Sequence, residues 1–306
     1  MILSHYIRSI RWFCLTTPEA NMLLSHYTRS IRRFCLTTPE AFGRSRLTLG
    51  AMGRALLASD VEAGPKDPAG SLIFREQFSS ATTSDLLAHC WATDFENSPP
   101  VRRVAAYKGQ RNFSGLWWCA STNRHVGFES WLERDHLIRL DLDAKVTGIA
   151  SQPFRIKLPK PLPQTWHVPD YFVRRADGTC LVIDVRPDAR VKAEDQLVFD
   201  ATANLCATVG WDYRRLGDLP CVGRANRHWI AGYRHPRCRN QETANAALRR
   251  LNHDGPSTIR DTAQRLGDPV LVLPTIFHLM WCQEVKVDLD FHRLHLDSEV
   301  WAGGTP

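Results

Sequence analysis

Pro169-Asp-Tyr-Phe-Val-Arg-Arg-Ala-Asp-Gly-Thr-Cys-Leu-Val-Ile-Asp-Val-Arg-Pro187 reads as a β-hairpin. Two runs rich in β-branched and aromatic residues, His167–Arg175 and Thr179–Arg186, flank the turn dipeptide Asp177-Gly178. The length of the loop decides what the two acids can do together. If the loop is Asp177-Gly178 alone, 176 pairs with 179. Asp170 and Asp184 then point to opposite faces, because side chains alternate along a strand. If the loop is Ala176-Asp177-Gly178, with Gly178 in the left-handed region, 175 pairs with 179. Asp170 then lies directly across from Asp184 on one face. Like charges so placed repel, and a divalent cation with oxygen ligands removes the repulsion.

Outward from the hairpin, the pattern is that of an α/β unit. Phe113–Cys119, with Trp117 and Trp118, reads as a strand. Phe128 to about Asp141 reads as a helix, with Phe128, Trp131, Leu132 and Ile138 on one side. Glu129 and Glu133, four apart, share another side. Val146–Ile149 and Phe154–Leu158 read as strands, and Pro159–Pro163 as a stiff connector. Beyond the hairpin, Ala193–Val209 reads as a helix and Trp211–Leu216 as a strand. The order places an α/β domain over 101–220.

Four blocks in this span, Glu129-Ser-x-x-Glu133-Arg-Asp135, Gln152-Pro153-Phe154, Pro169-Asp170-Tyr and Ile183-Asp184-Val-Arg186-Pro187, occur in a telling order. Together the chain resembles the PD-(D/E)xK nuclease superfamily, and within it the TnsA-like endonuclease subunits of heteromeric Tn7-like transposases. The resemblance covers about Arg111–Leu216 and, more loosely, the C-terminal part. It implies a restriction-endonuclease-like core. It also implies Glu133 as the catalytic glutamate, with Glu129 in reserve, and Asp170 and Asp184 as further ligands of Mg²⁺ or Mn²⁺. The expected activity is hydrolysis of phosphodiester bonds at the 5′ ends of a transposon. The expected partners are double-stranded DNA, a DDE-type transposase that makes the 3′ cuts, and an AAA+ ATPase regulator. A nucleoid-associated cytoplasmic protein, with no membrane, is the corresponding location. A restriction- or repair-type nuclease and a non-catalytic DNA-binding adaptor are the alternatives.

Arg186 departs from the family pattern, which has lysine there. Arginine offers charge and a planar fork of donors to phosphate oxygens, but it stays protonated and accepts no proton. Lys192, in the following loop, is the one nearby lysine that could stand in.

The remaining sequence sets the surroundings. The formal charge is +7 over 306 residues, which favours polyanionic partners. Only seven of the 39 basic residues are lysines, so phosphate contacts would fall to arginine. Nine cysteines without a Cys-x-x-Cys pair read as thiols. No apolar run is long enough to span a membrane. Met1–Ala20 and Met22–Ala41 are near copies, differing at Ile2/Leu23, Ile7/Thr28 and Trp12/Arg33. This marks a recent duplication or a start codon placed upstream of Met22. The stretch 1–100 reads as an extension, poorly ordered in part, with a short helix within Ser80–Asp94.

Residues 221–255 read as a basic linker, where Trp229 and Tyr233 interleave with Arg224, Arg227, Arg234, Arg237 and Arg239 and could bracket a nucleic acid. Cys221, His228, His235 and Cys238 are zinc-ligand types, without the tight cysteine pairs of structural sites. For 256–306 the expectation is a winged-helix-like domain. Its capping box is Thr258-Ile-Arg-Asp261, Gly267 is a stop, Pro274–Trp281 is a helix, and Val285–Leu289 pairs with Leu294–Trp301. There is no P-loop, His-Glu-x-x-His helix, Gly-x-Ser-x-Gly elbow or dinucleotide fingerprint.

Overall fold

The computed structural model describes residues 68–77, 81–102, 113–162 and 164–304. The near-repeat in 1–41 lies outside the described residues. The strands, in chain order, are β1 (Ser71–Arg75), β2 (Thr82–Leu86), β3 (Gly115–Cys119), β4 (Arg124–Phe128), β5 (Val146–Ser151), β6 (Phe154–Lys157) and β7 (Trp166–His167). They continue with β8 (Tyr171–Arg175), β9 (Cys180–Val185), β10 (Asp212–Leu216), β11 (Ser257–Thr258), β12 (Val285–Val287) and β13 (Glu299–Ala302). The α-helices are α1 (Trp131–Leu142), α2 (Ala193–Ala207), α3 (Cys221–Ala231), α4 (Gln241–Asp254), α5 (Ile259–Leu266) and α6 (Pro269–Trp281). The fold is therefore mixed α/β. None of the described helices is long and apolar enough to cross a membrane.

The sheet that positions the candidate residues has the order β10-β9-β8-β5. β5, β8 and β9 run antiparallel in turn, and β10 is parallel to β9. Because side chains alternate, each face meets a different core. Phe172 and Val182 point to the side of α2, where Val198, Cys206 and Trp211 pack. Tyr171, Val173, Leu181 and Ile183 point to the side of α1 and meet Leu137 and Phe128. β9 is buried from Cys180 to Asp184, as expected for a strand covered on both faces.

A second sheet, β2-β1-β6-β7, closes over the α2 side. Its strands β1 and β2 come from the stretch read as an extension, so the folded unit begins well before residue 101. The helix expected within Ser80–Asp94 is instead β2 followed by a single 3₁₀ turn, Leu87–His89. The apolar run in β1 takes the place of a helix here: Leu72 and Phe74 are buried against Phe154 and Ile156. Phe95 sits at the centre, fully buried, with its ring 5.0 Å from Phe154 and 5.1 Å from Phe74. Gly148 lets this segment approach β5. A Cβ there would lie 2.6 Å from Glu96, whose carboxylate receives Arg174 at 3.2 Å. Strand β6 thus leaves the sheet that β5 belongs to, and the break is at Gln152, with φ of 49°.

The segment 221–255 is not a linker. It forms α3 and α4, which belong to the C-terminal core. Ala244, Ala247 and Leu251 recur at helical spacing and are buried with Ile230, Ile259, Ile276 and Leu279. Asn240 caps α4 by accepting from the Thr243 N–H at 3.0 Å. The arginines of this segment flank the apolar stripe and hide it from a reading by charge. Thr258 caps α5 through the Asp261 N–H at 3.0 Å, and Gly267 ends it at φ of 137°. The following helix starts five residues earlier than expected. Pro269 opens it behind the Asp268 cap, and Pro274 lies inside, forgoing one i→i−4 bond. The last sheet has the order β11-β13-β12.

Gly178 carries the hairpin turn at φ of 83°, and an added Cβ would touch nothing within 4 Å. The cost of a side chain there is therefore conformational alone. Gly178→Val is expected to lower unfolding free energy by roughly 1–2 kcal/mol, and Gly178→Asn by clearly less. Urea unfolding of both variants checks this ordering.

Candidate functional site

The turn is the three-residue one. The Arg175 N–H donates to the Thr179 carbonyl at 2.9 Å, and the Gly178 N–H donates back to Arg175 at 2.9 Å. Asp177 holds the loop by accepting from the Thr179 N–H and hydroxyl. The ladder pairs Arg174 with Cys180 and Tyr171 with Ile183. Continued one step past its last pair, this register brings Asp170, the residue before β8, across from Asp184. The Asp170 carboxylate accepts from the Val185 N–H at 2.7 Å.

Asp184 is 4% exposed, and its Oδ2 accepts two bonds. One comes from the Tyr213 hydroxyl at 2.5 Å, the other from His167 Nε2 at 2.8 Å. Tyr213 reaches it because β10 pairs Tyr213 with Val182, on the same face. His167 reaches it from β7, the edge of the second sheet. Neither contact was legible in the sequence. His167 was read as the start of the hairpin strand, and it pairs instead with Ile156.

Glu133 arrives from the first turn of α1. Phe128 ends β4, so the helix begins three residues later than the apolar spacing suggests, with Ser130 as its cap. Glu129 therefore precedes the helix and does not share a helical side with Glu133. The Ser130 Oγ accepts from the Glu133 N–H at 3.2 Å and donates to Glu133 Oε1 at 2.8 Å. Glu133 Oε2 accepts from the Glu129 N–H at 2.7 Å, completing a reciprocal cap. Glu129 itself takes Arg102 at 2.9 Å and the Gln152 Nε2 at 2.7 Å. Gln152 links this corner to the hairpin, since its N–H donates to the Asp170 carbonyl at 2.9 Å.

These acids crowd one end of the sheet. Burial raises the Asp170 pKa well above the usual aspartate range, and the charges of Asp184 and Glu133 raise it further. Burial also raises Glu133, against the pull of its two hydrogen bonds. Burial and the Asp184 carboxylate push the Tyr213 phenol upward too. Arg186 does not neutralise the group. Its guanidinium turns to Asp195 in the first turn of α2, at 3.2–3.3 Å, and is 44% exposed. The Lys192 N–H donates to that same carboxylate at 3.1 Å, as part of the start of α2.

The donor types are those a hard divalent cation takes: carboxylates that raise one another's pKa, and a buried Gln152 Oε1 that has no hydrogen-bond partner. The donors do not form a closed cage. Among the described residues, no group of three or more His, Cys, Asp or Glu side chains converges on a common point. Two carboxylates are held by protein partners instead, Glu133 by the helix cap and Asp184 by His167 and Tyr213. A carboxylate has about four lone-pair positions, so each of these keeps acceptor capacity beyond the bonds described.

The other candidates resolve into structural ties. His228 Nε2 donates to Asp135 Oδ1 at 2.6 Å, and among the described residues it belongs to no metal-binding group. Arg227 makes a two-pronged contact with Asp290 at 2.7 and 3.1 Å, and Arg239 another with Glu284 at 2.5 and 3.0 Å. Arg234 lies over the Trp117 ring at 3.9 Å and donates to the Trp118 carbonyl. Trp229 and Tyr233 pack on Phe277. The interleaved basic and aromatic residues of 221–255 are thus largely occupied in holding α3 and α4.

Asp170 keeps its proton to higher pH in the fold than in the unfolded chain. Between the ordinary aspartate range and the raised pKa the folded state holds more protons than the unfolded chain, so stability falls as pH rises through that interval. Asp170→Asn keeps an acceptor for the Val185 N–H and removes the charge. In EDTA it is expected to melt higher than the parent at pH 8, by roughly 2–4 °C per kcal/mol relieved, and to match it near pH 3. Calorimetry across pH checks this; a lower melting temperature at pH 8 contradicts the assignment of strain to this carboxylate.

In comparisons with known proteins, no family model matches the chain and no curated protein matches it.

Proposed function

We propose that the chain is a metal-dependent DNA endonuclease subunit of a heteromeric Tn7-like transposase, hydrolysing phosphodiester bonds at transposon 5′ ends. The observation that carries this reading is the hairpin register, which sets Asp170 across from Asp184 at the end of the sheet that also receives Glu133. The element order α1-β5-β8-β9-α2-β10 supports a restriction-endonuclease-like core, since it supplies one acid from a helix start and two from paired strands. The order α4-β11-α5-α6-β12-β13, with strands arranged β11-β13-β12, supports a winged-helix-like C-terminal unit.

Glu133, Asp170 and Asp184 would hold Mg²⁺ or Mn²⁺. Such an ion lowers the pKa of a bound water and stabilises charge on the scissile phosphate. The chain's own groups do the rest. Tyr213 and His167 fix the orientation of Asp184. Arg186, on release from Asp195, donates to phosphate oxygens and stabilises charge that develops on them. It accepts no proton, so removal of the water proton falls to a carboxylate or to solvent. The DDE-type transposase and the AAA+ regulator belong to this proposal through the resemblance alone.

A second reading is a DNA-binding adaptor without cleavage. It is favoured by Arg186 being tied to Asp195 and by both oxygens of Glu133 serving the helix cap. Incubation of the full chain and its partners with transposon-end duplex and Mg²⁺ or Mn²⁺ separates the two. Nicking is expected, with Asp170→Asn and Asp184→Asn each reducing it by about 100-fold or more. Arg186→Lys is expected to increase the rate by about tenfold. If the parent chain never cuts and Arg186→Lys restores nicking, the adaptor reading holds for the natural sequence; if neither cuts, the nuclease reading fails.

A further inference from the structure

The second sheet ends in a ribbon, β6–β7, whose two faces carry different chemistry. Phe154 and Ile156 face inward and are fully buried. His167, paired with Ile156, reaches inward to Asp184. Arg155 and Lys157 alternate with these and face outward, where Lys157 pairs with Trp166. The Arg155 guanidinium lies 5.5 Å from the Trp166 ring centre and the Lys157 ammonium 5.4 Å from it. Two cations thus share one aromatic ring at the edge of the sheet. Among the described residues, neither is joined to a carboxylate. Lys160, exposed in the connecting loop, adds a third positive charge. From Phe154 to Pro169 the sequence contains no Asp or Glu at all.

Cations gathered on a ring repel each other, and an anion lying across them relieves that repulsion. The position matters as much as the charge. Trp166 is the chain neighbour of His167, so the edge strand that sends an imidazole inward to Asp184 carries the platform on its outer face. A polyanion brought to carboxylates needs positive charge close by to offset their repulsion. Three of the arginines of 221–255, Arg227, Arg239 and Arg234, are already engaged by Asp290, Glu284 and Trp117.

We propose that the β6–β7 ribbon is a clamp for the phosphate backbone of duplex DNA, with Arg155 and Lys157 contacting phosphates that flank the acid pair and Trp166 holding both cations in place. This rests on the nucleic-acid reading of the Asp170–Asp184 site. It assigns no role in bond breaking to the ribbon. The contacts are to phosphate, so they position the duplex and carry no base preference.

The test is equilibrium binding of the full chain to a labelled transposon-end duplex, followed by fluorescence anisotropy in EDTA over a series of salt concentrations. The double variant Arg155→Gln/Lys157→Gln is expected to bind about tenfold more weakly at about 0.1 M salt, and to lower the slope of log affinity against log salt by about 2. Lys145→Gln removes one charge at the opposite end of β5 and is expected to change affinity less than about twofold. If the parent binds duplex and the double variant binds equally well with the same slope, the clamp is wrong and the nucleic-acid reading stands. If the parent binds no duplex at any salt, both fall. Amide exchange of the unmodified chain gives a measurement independent of the variants' folding. Duplex is expected to slow exchange across 158–162 and at 164 and 165, and unchanged exchange there with duplex bound overturns the clamp.

Discussion

The pairing of β8 with β9 is the constraint on which the rest of the molecule depends. The bond from Arg175 to Thr179 makes the loop three residues long, and every side chain of the hairpin strands is thereby assigned a face. Phe172 and Val182 go to α2, Tyr171 and Ile183 go to α1, and the same register continued brings the two aspartates to the open end. A slip of one residue would turn Val182 and Ile183 the wrong way round and send both aspartates into different surroundings. The hydrophobic cores on both sides therefore enforce the position of the acids. A buried like-charge pair is unfavourable by itself. It persists because the packing of seven buried apolar residues on the same two strands opposes its dispersal.

What the sequence made legible was local. The hairpin, α2 and β10 follow from alternation and helical spacing, and the Thr258 cap and the Gly267 stop were each visible as short chemistry. The misreadings have a common physical origin in contacts between distant segments. β1 and β2 looked like part of an unstructured extension because five-residue strands have no signature without their neighbours, and β1 finds its partner in β6, some 80 positions on. The arginines of α3 and α4 drew attention from Ala244, Ala247 and Leu251, small apolar residues that pack only because α6 lies against them. The hairpin residues allow two registers, and Gly178 takes a positive φ in either; what separates them is that Arg175, not Ala176, bonds to Thr179.

The candidate site shows the same division. Asp170, Asp184 and Glu133 stood out by type and order, and the shifted titration of Asp170 ties the three together electrostatically. Their restraint by other groups did not stand out. Tyr213 and His167 come from two different sheets to a single carboxylate oxygen, and the Ser130 hydroxyl and Glu129 N–H occupy Glu133. Arg186 was conspicuous as an arginine in place of lysine. Its partner, Asp195, depends on where α2 begins relative to β9, which no spacing rule gives.

Helix α1 has a divided allegiance. Its first turn carries Glu133, Leu137 packs beneath the central sheet, and its last turns bury Ile138 and Leu142 among the C-terminal helices. Asp135, near the middle, is bonded to His228 of α3. The apparent boundary near residue 220 is therefore a boundary in sequence only. Cutting there would strip cover from one flank of the helix that presents Glu133, and it would leave Asp135 buried against a missing histidine. A replacement for the part after residue 220 would have to bring its own cover for Ile138 and Leu142 and its own partner for Asp135, so α1 and α3 behave as a single joint.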